Sequence, residues 1–213
     1  MAAEIPDGNL FMACRRPVRE AFSPLPDGYF LRPPRREELP LWMDLHFHGP
    51  ETARQYRPYM ERYFAQVYAP HGDLFFERCR LLCAPDGEVA GTCFVWKAYG
   101  RVNTVHWFKV KREREGRGLG RALLSAVLAP LGEEDLPVCL HTQPGSCRAI
   151  KLYSDFGFRL LTDPVIGGRA NDLEQSLPFL RKVMPPEAFG RLQFDTAPPA
   201  LLAAAGSSPV HEF

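Results

Sequence analysis

Val110-Lys111-Arg112-Glu113-Arg114-Glu115-Gly116-Arg117-Gly118-Leu119-Gly120-Arg121 leaves a strand-like run and enters an apolar helical stripe, with three glycines alternating with larger residues at the junction. Glycine adopts backbone conformations closed to other residues and lets a ligand approach the main chain. Successive free N–H groups at a helix start, helped by the positive end of the helix dipole, form a concave anion site. A diphosphate suits such a site, and Arg117 and Arg121 add charge beside it. Three readings of the loop compete. A P-loop needs Lys followed by Ser or Thr after the last glycine, whereas Arg121-Ala122 follow here. A dinucleotide fingerprint needs a parallel βαβ unit, which the flanking strands do not form. The third reading is a flexible turn.

The elements around the loop narrow the choice. Upstream, Asp73 to Cys83, Val89 to Ala98 and Val102 to Lys111 read as three consecutive strands, with Pro85-Asp86-Gly87-Glu88 and Gly100 at the turns. They predict an antiparallel meander. Before them a short strand is expected at Tyr29-Phe30-Leu31-Arg32. Two helices follow it, Arg35 to Phe47 and Thr52 to Tyr68, separated by the Gly49-Pro50 break. Downstream, Leu119, Leu123, Ala126 and Val127 share one helical face. Leu136 to Thr142 is a strand, Ser146 caps a helix running to Phe156, Gly157 stops it, and Phe158 to Thr162 is another strand. Residues 1–28, rich in Pro, Gly and charge, read as an irregular leader. Residues 163–213 form a C-terminal extension, with a helix over Leu173 to Val183 interrupted by Pro178 and a disordered end from Ala197.

Composition bounds the function. The 213 residues carry a formal net charge of +1, with 46% hydrophobic and 24% charged residues. That is ordinary globular usage, with no global field to attract nucleic acid or an acidic membrane surface. No apolar run approaches the roughly 20 residues that span a bilayer, and Met1 to Gly8 lacks the basic-then-apolar pattern of a secretory signal. The six cysteines are scattered. Cys79 and Cys83 have no second pair at ligand spacing, so they read as buried thiols of a cytoplasmic protein rather than a metal site.

A second segment completes the pattern: His141-Thr142-Gln143-Pro144-Gly145-Ser146-Cys147-Arg148-Ala149-Ile150-Lys151-Leu152-Tyr153-Ser154-Asp155-Phe156-Gly157-Phe158. With the glycine loop it resembles the GNAT N-acetyltransferase superfamily. Gly118 and Gly120 fill the family's loop glycines, and Ala149, Leu152-Tyr153 and Gly157-Phe158 fill its later pattern. Two positions depart from it. Glu115 stands where the family prefers Arg or Gln, so its side chain is expected to point away from the pyrophosphate. Ser146 stands where many members have Asn.

The resemblance implies an α+β fold over residues 29–162: a mixed, mostly antiparallel sheet flanked by helices, with a V-shaped splay between the two central strands. It implies direct transfer of an acetyl group from acetyl-CoA, without a metal, to a primary amine of a small molecule or peptide. A homodimer is compatible with it. The alternative is a catalytically silent CoA-binding or protein-interaction module on the same fold.

The cofactor set implied is Phe108, Lys109 and Val110 on the strand, Glu115, Gly116, Arg117, Gly118, Leu119, Gly120 and Arg121 in the loop, and Ser146 and Tyr153 on the later helix. Tyr153 occupies the place of the acid that protonates the leaving thiolate. His106 is the candidate base, since an unperturbed imidazole titrates near neutral pH. His141, and Glu77 acting through water, are weaker candidates. Trp42, His46, His48, Tyr56, Tyr59 and Tyr63 lie on the helices that would roof the acceptor pocket.

Overall fold

The computed structural model describes residues 5–213. The first four residues of the expected leader lie outside it. In chain order the elements are β1 (Leu10–Cys14), β2 (Phe30–Arg32), α1 (Leu39–Asp44), α2 (Pro50–Val67), α3 (Leu74–Arg78), β3 (Arg80–Cys83), β4 (Val89–Ala98), β5 (Val102–Val110), α4 (Leu119–Leu128), β6 (Val138–Thr142), α5 (Cys147–Asp155), β7 (Arg159–Leu161), β8 (Val165–Ile166), β9 (Arg169–Ala170), α6 (Leu173–Val183), α7 (Pro186–Gly190), β10 (Phe194–Asp195) and α8 (Pro199–Gly206). The main sheet runs β10-β7-β1-β6-β5-β4-β3-β2, and β8 and β9 form a separate hairpin. The β5–β6 and β7–β10 pairs are parallel and the others antiparallel. This is the mixed, mostly antiparallel sheet that the resemblance implies.

The β3–β4–β5 meander forms as expected. Apolar residues on one face of the sheet meet α4 and α5 in a core that includes Met12, Leu123, Leu140, Ile150 and Phe156. The other face carries two separate clusters. Trp42, Met60, Tyr68, Phe75, Phe94 and Trp96 pack under α1, α2 and α3. Phe11, Cys139, Leu161, Ile166 and Leu201 pack under α8 and the β8–β9 hairpin. The second face is therefore roofed at both sides, and the two roofs meet where Tyr99 and Phe213 touch both clusters.

Three expectations change. First, the N-terminal segment is not irregular throughout. Leu10-Phe11-Met12-Ala13-Cys14 is β1, fully buried, wedged between β6 and β7 with pairs Phe11↔His141 and Met12↔Leu160. Five consecutive apolar residues suit a strand covered on both faces, a signal that the Pro and Gly around them dilutes. Second, the run from Asp73 splits into α3 and β3. Short apolar runs do not separate helix from strand by periodicity, and the helical turn drives Phe75 into contact with Trp42 at 4.8 Å and Tyr68 at 5.0 Å. Third, the tail is ordered. α8 buries Leu201, Ala204 and Ala205, because an alanine-rich stretch is a strong helix former when an apolar surface awaits it. α6 runs from Leu173 to Val183 with Pro178 inside it. The stop of α5 is as read: Gly157 N–H donates to the Ser154 carbonyl (3.0 Å) and Phe158 N–H to the Tyr153 carbonyl (3.0 Å), the paired bonds of a Schellman end.

Since Met12 is fully buried in the main core, Met12→Ala will lower the unfolding free energy by about 2–5 kcal/mol, read by urea denaturation. A change near zero would mean that β1 is peripheral to the sheet.

Candidate active site

β5 and β6 run parallel but share a single bridged pair, Thr104↔Cys139. Beyond it the strands part, so the β6-facing edge of Val105–Val110 is left without a ladder partner. β4 holds β5 in this course through a bulge: Thr92 pairs with Lys109 but Phe94 with His106, which leaves one extra residue on β5. Trp107 sits there at φ 50°, a backbone region that costs a non-glycine residue about 1–3 kcal/mol and is enriched at functional sites. At the same place Gly91 allows the strands to close up, since a Cβ on it would lie 2.5 Å from the Lys109 carbonyl oxygen.

The open edge of β5 runs into the glycine loop. Gly116 and Gly118 take φ of 77° and 76°, and Gly118 is the residue that starts α4. Helix starts leave their first N–H groups without intrahelical partners, and here they face a cleft of about 700 Å³ between β5, the loop and the start of α5. Gly120 lines it beside Phe108, where a Cβ would come within 3.3 Å of the ring.

Among the expected cofactor residues, Phe108, Lys109, Val110, Glu115, Gly116, Gly118, Leu119, Gly120, Arg121 and Ser146 line this cleft. Arg117 and Tyr153 do not. Arg114, Arg148 and Leu152 line it as well. A backbone cradle, an unpaired strand edge and basic side chains suit a long ligand bearing a diphosphate.

The charged side chains differ from the sequence reading. Arg121 lines the cleft but its guanidinium is already engaged, donating to Asp155 (2.6 Å) and to the Ala21 carbonyl (3.0 Å). Its charge is committed to holding α4 and the N-terminal segment. Glu115, expected to point away from the pyrophosphate, accepts from Arg148 at 2.7 Å. That exposed pair joins the loop to α5 and neutralises the carboxylate beside the cradle.

Tyr153 is buried in the core, its ring 5.7 Å from cleft-lining Phe108, and its hydroxyl bonds to no described residue. Burial holds its phenol above the usual range, so it keeps its proton at physiological pH. His106 is 2% exposed, with Nδ1 2.6 Å from the Tyr68 hydroxyl. That hydroxyl also accepts from the Trp107 indole N–H at 3.0 Å. Its Nε2 is buried without a partner among the described residues. Burial pushes this imidazole down to about 3. It does not titrate near neutral pH, as an exposed histidine would, because no carboxylate accompanies it into the interior.

His141 is held by Asn9 at 2.9 Å and is likewise pushed down to about 3 by burial. Glu77 is exposed on α3 and does not line this cleft. Of the roof residues, Trp42 is core. Tyr56 stacks on Phe47 at 4.9 Å, Tyr59 is largely exposed and His48 is exposed. His46 and Tyr63 lie 4.5 and 5.3 Å from the Trp107 ring.

A splayed pair of parallel strands opening onto a glycine cradle at a helix start is the architecture of a GNAT acyltransferase. The acetyltransferase (GNAT) family model matches residues 40–158, and the chain belongs to that family. Among solved structures, the tandem GNAT protein from the clavulanic acid biosynthesis pathway aligns with TM-score 0.50 and 18% identity over 73% of this chain and 50% of that one. A GCN5-related N-acetyltransferase from Sphaerobacter thermophilus aligns with TM-score 0.46 and 20% identity over 65% and 43%. A GNAT-family acetyltransferase from Colwellia psychrerythraea aligns with TM-score 0.46 and 13% identity over 74% and 54%. The chain thus spans about half the length of these structures. No curated protein matches it. Among the described residues no helix is long and apolar enough to cross a membrane, and no group of three or more His, Cys, Asp or Glu is placed to hold a metal ion.

Two expectations follow. Gly118→Ala will strain the αL residue by about 1–2 kcal/mol and weaken CoA binding about tenfold, measured by titration calorimetry; unchanged affinity would remove the loop from the site. His46, His106 and His141 each fall from 6.5 to about 3 on burial. Between those values the unfolded chain binds protons that the folded chain refuses. Stability is therefore full above about 6.5 and declines as pH falls toward 3, by up to about 1.4 kcal/mol per pH unit for each histidine. His106→Gln will flatten that acid limb in thermal melts between pH 8 and 4. An unaltered slope would show that His106 is not held neutral.

Proposed function

We propose that this protein transfers an acetyl group from acetyl-CoA to a primary amine of a small molecule or peptide, by direct attack of the amine on the thioester. The observation that carries the reading is the single Thr104↔Cys139 bridge beside the Gly116–Gly120 cradle. It supplies an unpaired strand edge for an amide-containing arm and a backbone site for its diphosphate. Acetyl-CoA supplies the activated acyl group, and the chain's task is to hold it and manage protons.

Tyr153 is assigned the leaving-group proton. Its phenol stays protonated and free of described partners, next to the cleft wall. His106 is assigned the amine's proton. An imidazole near 3 cannot deprotonate an ammonium before attack, so the acceptor must arrive as the neutral amine. The six thiols, five of them buried and none in a disulfide, agree with a cytoplasmic setting.

Thiol release from acetyl-CoA, measured over an amine panel and a pH range, tests this. The proposal expects kcat/KM to climb with pH until the acceptor's own pKa is passed, with no limb near 6.5, and Tyr153→Phe to lower kcat about 10²-fold or more, in the range of a lost acid catalyst. CoA binding with no turnover on any amine would replace the proposal with a silent CoA-binding module.

A further inference from the structure

A second cleft, of about 850 Å³, lies on the α1 side of β5. The end of α1 and the loop after it supply one wall through Leu41, Leu45 and Phe47. The turn before β4 and the end of β5 supply the other. A cleft of that size holds a molecule as large as a short peptide. Lys109 lines both this cleft and the glycine-loop cleft. Successive residues of a strand point to opposite faces. Phe108 reaches Gly120 and Tyr153 on the α4–α5 side, so Lys109 projects to the α1 side. There its charge adds to the burial that holds the His46 imidazole down.

Most charges of the second cleft are already matched. Glu38 accepts from Arg32 through both oxygens at 2.7 Å and from Arg35 at 3.3 Å. Asp44 pairs with Arg57 at 2.5 Å, and Glu88 with Lys111 and Arg114 at 2.8 and 2.6 Å. Lys109 and Arg112 meet no carboxylate within 4.0 Å among the described residues, and Glu113 meets no cation. Two cations therefore stand against one carboxylate. Arg112 and Glu113 are exposed at the rim, where water screens them, but Lys109 is half-buried. Burial lowers its ammonium from the usual range, against the attraction of Glu115 and Glu113. A cation partly stripped of water and lacking a counter-charge is costly. An anion arriving from solution removes that cost through a charge-assisted hydrogen bond.

We infer that the acceptor amine carries an anionic group, a carboxylate or a phosphate ester, that docks in this second cleft on Lys109, with Arg112 as the outer cation. The inference rests on the acetyl-transfer reading and gives its acceptor a class: acidic peptides and amino-acid derivatives rather than polyamines, which the two free cations repel. Lys109 suits the task because its main chain belongs to the strand whose open edge takes the donor. An anion fixed on its side chain is thereby fixed relative to the thioester as well. Leu45 and Phe47 offer an apolar wall to the uncharged part of the acceptor.

The test offers the full chain acetyl-CoA and two pairs of dipeptides that share one N-terminal glycine amine. Glycyl-aspartate amide is set against glycyl-asparagine amide, and glycyl-phosphoserine amide against glycyl-serine amide. The charged member of at least one pair should show a kcat/KM higher by about tenfold or more, the worth of a hydrogen bond to a charged group. The pair that responds distinguishes carboxylate from phosphate. Lys109→Gln should erase the preference, Arg112→Gln should weaken it, and Lys109→Arg should keep it. A second readout needs no turnover: in titration calorimetry on the CoA-loaded protein, the charged dipeptide should bind Lys109→Gln about tenfold or more weakly than wild type. Equal turnover of charged and neutral members, or a Lys109→Gln protein that loses CoA affinity as much as peptide affinity, overturns this inference and leaves acetyl transfer standing. No turnover on any amine, with no peptide binding that depends on Lys109, removes both.

Discussion

The site depends on one backbone pairing and on what is withheld from it. Parallel strands normally extend their ladder along their full common length, since each unpaired N–H or C=O in a protein interior costs about 1–3 kcal/mol. Here β5 and β6 meet at Thr104↔Cys139 and then separate. The bulge opposite Phe94 and the positive φ of Trp107 steer β5 away while β4 keeps its other edge satisfied. Toward α4 and α5 the resulting gap continues into the glycine cradle.

What could be read from the residues followed from how local its cause is. The glycine loop was legible because its function resides in the main chain: alternating glycines at a strand-to-helix junction announce free N–H groups whatever surrounds them. The end of α5 was legible for the same reason. The fates of Arg121, Glu115 and His106 were not, because each depends on a partner far along the chain or on depth of burial. Asp155 and Ala21 claim Arg121, Arg148 claims Glu115, and the aromatic cluster under α2 strips His106 of solvent.

β1 is the clearest case of a strand hidden by its neighbours. Its apolar run was in plain view, but proline, glycine and charge on both sides made the whole segment read as a leader. Its placement is long-range: Leu10 pairs with Thr142 and Met12 with Leu160. No windowed reading of the chain brings those residues together.

That placement has a consequence for how the protein is made. β1 leaves the ribosome before the other strands of its sheet, yet both of its partners are encoded more than a hundred residues later. Until β6 and β7 are synthesised, Leu-Phe-Met-Ala-Cys is an apolar strand with both edges bare. Such segments are prone to pair with other chains and are typical clients of chaperones. The sheet cannot close from the N-terminus forward. It must assemble around the β3–β4–β5 meander, whose contacts are local and therefore fast, and accept its earliest-made strand as one of its last pieces.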